Sequence, residues 1–305
     1  MTLCLAYGDE LTTVPEAFYA QVLYRLSVKG AQLFGTTNPD NPMHWLRKKY
    51  LLRAGELNLR TWHSTLDDNP HLDPEYVANA KLENVGMWYK RYILGLWVMA
   101  EGAIYDMWDE DRHVVDVLPL MQRWIALGID YGTNAPFAAL LLGLGTDRNL
   151  YLGAEYRHDS KKAMRQLSAV EYSRAMRTWL ANIPVPGTSL HGVRPDMIIV
   201  DPAELQFRVQ LTNDGLVTHG ANNNVMDGIR TVSSLLATDR LKVHRSCAGW
   251  IEEAPGYSWD PDKALLGEDA PVKLDDHSLD AGRYAVHTTS QLWTPAIRPA
   301  FALAA

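Results

Sequence analysis

Apolar and polar positions arrange this chain into two successions of elements. In the first, Met1 to Tyr7 is a short apolar run closed by Gly8, Asp9 and Glu10, which predicts a buried strand with two acids at its C-terminal end. Phe18, Val22 and Leu26 recur at helical spacing within Pro15 to Val28. Gln32 to Gly35 predicts a second strand, stopped by the turn-forming Thr36, Thr37, Asn38 and Pro39. Helical spacing returns over Met43 to Arg53 and Pro74 to Gly95, with a loop around Asp67, Asp68, Asn69 and Pro70 between them. Trp88, Tyr89, Tyr92 and Trp97 fall on that spacing, which suits an amphipathic helix packed on its own domain better than a base-stacking platform. Periodicity lapses from Glu101 to Pro119, among Gly102, Asp106, Asp109, Glu110 and Asp111, so a domain boundary is expected near residue 118.

The second succession opens with three strands, Trp124 to Ile129, Phe137 to Leu144 and Leu150 to Tyr156, spaced as a meander. A helix over Ala169 to Leu180, a short buried strand over Met197 to Val200 and a helix over Glu204 to Leu211 follow. Val225 to Leu236, Ser246 to Ala254 and Asp276 to Val286 predict three further helices. This is an α/β pattern without internal repeats. The tail from Thr288 to Ala305 is apolar but aperiodic.

With 305 residues the chain is long enough for two domains, each with its own core. A composition 47% hydrophobic and 21% charged is that of a globular protein rather than a disordered one. The longest strongly apolar stretch, Pro136 to Leu144, is far shorter than the roughly 20 residues of a membrane-spanning helix, so a cytoplasmic location is expected. The two cysteines, Cys4 and Cys247, form no CxxC pair and read as small core residues. The histidines show no HxxxH spacing, which disfavours zinc. A formal net charge of −7 looks unpromising for a DNA-binding protein. Local patches override totals, however, and Arg157, Lys161, Lys162 and Arg165 form either such a patch or a solvated face.

Chemistry concentrates on carboxylates. Asp130 and Asp201 each directly follow an apolar strand, where ligands of open α/β sheets gather. Asp276 and Asp280 lie one helical turn apart, with His277 three residues before Asp280. Several carboxylate oxygens are what a pair of hard cations such as Mg²⁺ or Mn²⁺ requires to hydrolyse a phosphodiester. Taken singly, each acid also suits a cap or a turn.

Three motifs together resemble the nuclease of phage large terminases: Gly-Ile-Asp-Tyr-Gly at 128–132, Val-Asp-Pro-Ala-Glu at 200–204 and Asp-Asp-His-Ser-Leu-Asp-Ala-Gly-Arg-Tyr-Ala at 275–285. The resemblance implies a ribonuclease H-like nuclease over residues 119–305, a central mixed sheet flanked by helices. It also implies metal ligation by Asp130, Asp201 and Asp280, with Asp276 and His277 nearby, and cutting of concatemeric double-stranded DNA. Gly282 stands where a larger apolar residue is expected, which would loosen the packing of that helix.

Residues 1–118 resemble the end of the same family's P-loop ATPase domain. Leu-Ala-Tyr-Gly-Asp-Glu at 5–10 is similar to a Walker B motif, and Gly-Thr-Thr-Asn-Pro at 35–39 to its coupling motif. Asp9 would then hold Mg²⁺ and Glu10 would activate water; read alone, the pair suits a solvated turn. No GxxxxGK[ST] loop occurs, so ATP hydrolysis is expected only if an upstream Walker A half is supplied. The resemblance further implies double-stranded DNA, the small terminase subunit and a portal protein as partners, a possible ring on the portal, and a place in the host cytoplasm during DNA packaging. Two rival readings remain at this point: a resolvase or recombinase on the same fold, and a non-catalytic docking part of a packaging motor.

Overall fold

The computed structural model describes residues 2–132 and 136–299. The end of the apolar tail, 300–305, lies outside the described residues. The chain forms two compact units, one of residues 1–101 with 259–270, the other of residues 102–258 with 271–305. The expected boundary near 118 therefore falls inside the second unit. Ile104 and Tyr105 are buried there, with Tyr105 stacked on Trp250 and Ile104 N–H donating to Tyr257 O. Residues 259–270 join the first unit from far along the sequence, a return that local periodicity does not encode.

In the first unit, β1 (Leu5–Gly8) pairs in parallel with β2 (Gln32–Gly35), and α1 (Glu16–Arg25) connects them. α2 (Trp45–Lys49) and α3 (Pro74–Glu83) follow. The helix expected as far as Gly95 ends at Glu83 and resumes as a helical turn at Gly86–Trp88 and a π-turn at Tyr89–Ile93. Buried Leu11, Tyr19 and Leu46 centre a small core, with Trp45, Tyr50 and Trp97 against it. Buried Arg91 bonds Asp40 at 2.8 Å and Asp269 at 2.6 Å, which ties the returning segment to this unit. Cys4 is exposed rather than buried, because it precedes β1 at the start of a sheet that has two strands among the described residues; Cys247 is buried as expected.

The second unit is built on a sheet that has seven strands among the described residues. They are β3 (Val114–Val115), β4 (Met121–Asp130), β5 (Phe137–Gly145), β6 (Leu150–His158), β7 (Met197–Val200), β8 (Thr218–Gly220) and β9 (Leu241–His244). Their order is β3-β9-β6-β5-β4-β7-β8, with β4, β5 and β6 antiparallel and β7, β8 and β9 joined in parallel. That is the mixed, ribonuclease H-like sheet the motifs imply.

Helices cover both faces, which explains why β5 is buried at every position and reads as a continuous apolar run. α4 (Ala169–Asn182) and α5 (Leu205–Asn213) pack Tyr172, Met176, Phe207 and Leu211 on Leu127, Ile129 and Phe137. α6 (Val225–Ala237), α7 (Ala248–Glu253) and α8 (His277–Thr288) complete the layers, and α8 lies directly on β4 and β5. No helix of the described residues is long and apolar enough to cross a membrane.

Candidate metal centre at the carboxyl edge of the sheet

The sheet topology carries the site. β4 and β7 run in parallel, with Ile129 beside Val200, so the acids that follow them, Asp130 and Asp201, emerge at the same edge. α8 reaches this edge because Gly128 admits it: a Cβ there would sit 2.0 Å from Ala281 O and 2.8 Å from Ala285 N. Gly282 corrects the expectation of loose packing. Its missing Cβ would meet Trp250 Nε1 at 3.0 Å and Leu152 Cδ1 at 3.4 Å, so the helix is closely packed at Gly282 and a larger residue there would press on Trp250.

His277 Nδ1 lies 2.8 Å from Asp130 Oδ2. Burial pushes the Asp130 carboxyl above its ordinary range; the His277 hydrogen bond opposes this, and the charges of Asp280 and Asp276 reinforce it. The Asp130 bond in turn raises the His277 imidazole, against the effect of burial. Asp276 and Asp280, both buried, share the Lys273 ammonium at 3.0 and 3.1 Å. Arg283 Nη2 donates to the other oxygen of Asp280 at 2.7 Å.

Asp201 accepts from Ala203 N–H at 2.8 Å, Asn223 Nδ2 at 3.1 Å and the Tyr284 hydroxyl at 3.1 Å. Burial first, then the charges of Asp280, Asp130 and Asp201, push the Tyr284 phenol far up. Of these acids, Asp201 is the one hydrogen-bonded to that hydroxyl.

Among the described residues, no three His, Cys, Asp or Glu side chains gather closely enough to hold one metal ion. Each acid instead engages a protein donor: Asp130 the imidazole, Asp276 and Asp280 the ammonium and guanidinium, Asp201 the amide and phenol. The donor set is nonetheless of the right chemistry for a hard divalent cation, being carboxylate oxygens in mutual repulsion at a half-buried edge. Glu204, the last residue of the second motif, lies close enough to Asp201 and Asp130 to feel their charge. Its carboxyl is raised by burial and then by Asp201 and Asp130, and its position three residues after Asp201 was the available signal.

In the first unit, Asp9 and Glu10 follow β1 and face the segment after β2. Thr36 donates to Asp9 Oδ1, and Asn38 Nδ2 donates to Glu10 Oε1 at 3.3 Å. The strand pairing therefore brings the Walker B-like and coupling-like segments together.

A mixed, helix-flanked sheet with acids at one carboxyl edge defines the second unit as an α/β fold. Residues 1–94 match the family model described as "Phage terminase large subunit". The chain is also similar to the large terminase of a thermophilic bacteriophage, at 36% identity and a TM-score of 0.85 over 96% of this chain and 70% of that one. The same terminase in complex with ATP-gamma-S aligns at 37% identity and a TM-score of 0.84, covering 94% of this chain and 70% of that one. No curated protein matches. The chain belongs to the phage large terminase family.

Proposed function

We propose that the second unit is a divalent-metal-dependent endonuclease that cuts double-stranded DNA during phage genome packaging. The observation that carries this reading is that Asp130 and Asp201 stand at one edge, at the ends of two parallel strands, with Asp280 on the helix packed on β4. Asp130, Asp201 and Asp280 would hold Mg²⁺ or Mn²⁺, with Asp276, His277 and Glu204 at the rim. The metal, when bound, supplies an activated water and neutralises charge on the phosphate. The chain's own residues do the rest. Asp130 orients His277, Arg283 fixes one oxygen of Asp280, and Tyr284 and Asn223 orient Asp201. The turn of Lys161, Lys162 and Arg165 follows β6, whose C-terminal end lies at the same sheet edge as Asp130, and it would contact the DNA backbone.

The test is cleavage of supercoiled plasmid by the full chain with Mn²⁺, Mg²⁺ or EDTA, alongside Asp130→Ala. Metal-dependent nicking and linearisation, lost in the variant, is the expected outcome. A folded chain inert in both metals sinks the reading.

A docking role for the first unit has its own support. Leu5, Tyr7 and Phe34 are exposed on one face of a two-stranded parallel sheet, an arrangement ordinarily covered on both faces. We propose that this face receives the phosphate-binding half of the ATPase fold, and that Asp9 and Glu10 act on ATP only then. The small terminase subunit and the portal are proposed partners of the assembled protein.

A further inference from the structure

We infer that Glu253, acting with Arg157, Glu155 and Ser278, is a positioning residue that sets the first turn of α8 and so the placement of His277 and Asp280 opposite Asp130. The inference rests on the nuclease reading above.

The first N–H groups of a helix lack intrahelical acceptors and are usually satisfied by the side chain of the N-cap residue. α8 departs from this. Its N-cap, Asp276, makes no capping bond, and its carboxylate turns to Lys273 instead. The acceptor comes from another helix: Glu253, at the end of α7, takes Ser278 N–H at 2.8 Å and Leu279 N–H at 3.1 Å on one oxygen. A carboxylate there is also favoured by the helix dipole. Because α7 caps α8, Asp276 is left to face the site.

The other oxygen of Glu253 accepts from Arg157, which also donates to the Ser278 hydroxyl. Ser278 donates in turn to Glu155, whose second oxygen accepts Gly249 N–H at 2.7 Å. Arg157 pairs across β5 with Ala138, and Ala138 pairs with Asp130. The network thus fastens the start of α8 to the sheet row that carries Asp130. Gly249 is part of the device: a Cβ there would lie 2.6 Å from Arg157 Nη1, 2.6 Å from Glu155 Oε1 and 2.7 Å from Ser278 Oγ. Glu253 and Ser278 are buried, so these bonds exchange little with water.

Groups that orient ligands rather than bind the ion typically change metal affinity about 10–100-fold when altered. The full chain, Glu253→Gln, Gly249→Ala, Asp130→Ala and Asp239→Ala are compared by titration calorimetry with Mn²⁺, thermal unfolding and amide hydrogen exchange. Asp239 pairs with Lys242 and Arg112 near the start of β9, away from this network, and controls for general destabilisation. For Glu253→Gln and Gly249→Ala the expected result is an Mn²⁺ dissociation constant weakened about 10–100-fold. Exchange at Ser278 and Leu279 should be faster by at least about tenfold, the effect of a lost hydrogen bond to a charged group. Asp239→Ala should lose thermal stability yet bind Mn²⁺ as the parent does. Unchanged affinity and exchange in Glu253→Gln, or equal weakening in Asp239→Ala, overturns the positioning role. If the parent chain binds no Mn²⁺, the nuclease reading fails, and the exchange comparison alone decides whether Glu253 sets the turn.

Discussion

His113 is fully buried and held as one neutral tautomer: Nδ1 accepts Asp109 N–H at 3.0 Å, leaving Nε2 to donate to Leu236 O at 3.0 Å. Burial depresses its pKa below the ordinary value. The unfolded chain therefore binds this proton first, so the stability His113 contributes is present above about pH 6.5 and is lost as pH falls towards the lowered folded value. We expect the melting temperature of the chain to drop between pH 7.5 and 5.5, and to drop less in His113→Gln; parallel curves would remove His113 as the cause. Lys273 gives a second prediction. Its ammonium holds Asp276 and Asp280 as an internal counter-ion, half-exposed, so it competes with an arriving cation for modest energy. Lys273→Met should tighten Mn²⁺ binding by about 1 kcal/mol, roughly fivefold, in calorimetric titration. Weaker binding would show instead that Lys273 orients the acids.

Among the elements, the β6–α4 turn and helix α8 divide the work of the edge. Asp159 fixes the turn by accepting Lys161 and Lys162 N–H at 2.9 and 3.2 Å, and Ser168 with Glu171 closes it as a capping box on α4. The lysine side chains are exposed on a braced backbone. For Lys161→Glu/Lys162→Glu, DNA affinity measured by anisotropy in Ca²⁺ should fall and the salt slope should shrink by about 2, since two phosphate contacts are lost. An unchanged slope would return this turn to the solvated face that its sequence equally allowed. The position of α8 was legible only in part. Its periodicity announced a helix near 276–286, but that it packs on Gly128, and that Gly282 lies close against Trp250, depends on residues distant in sequence.

For the whole molecule, two compact units predict distinguishable thermal behaviour. A cation bound only by the second unit stabilises that unit by about 2.7 kcal/mol at a hundredfold excess over its dissociation constant. Scanning calorimetry should show Mn²⁺ raising one transition and leaving the other in place. A joint shift would mean that the units unfold together.

Local pattern by itself determined most of the elements and marked Asp130 and Asp201 as candidates, because strand and helix periods, and acids placed directly after apolar runs, are properties of neighbouring residues. Asp130 and Asp201 were singled out in that way, and Asp280 by its helical spacing from Asp276 together with the family resemblance. What only the tertiary structure decided comes from pairing between distant segments. β8 (Thr-His-Gly) has no apolar residue and β9 (Leu-Lys-Val-His) only two, so neither shows an apolar run, and the return of residues 259–270 to the first unit follows no local signal. The partners of the acids, Lys273 and Arg283 for Asp280, Tyr284 for Asp201 and Glu253 for the start of α8, were settled by the packing of α8 on β4. A side chain's charge is written in the sequence, but what satisfies that charge once it is buried depends on which element folds against it.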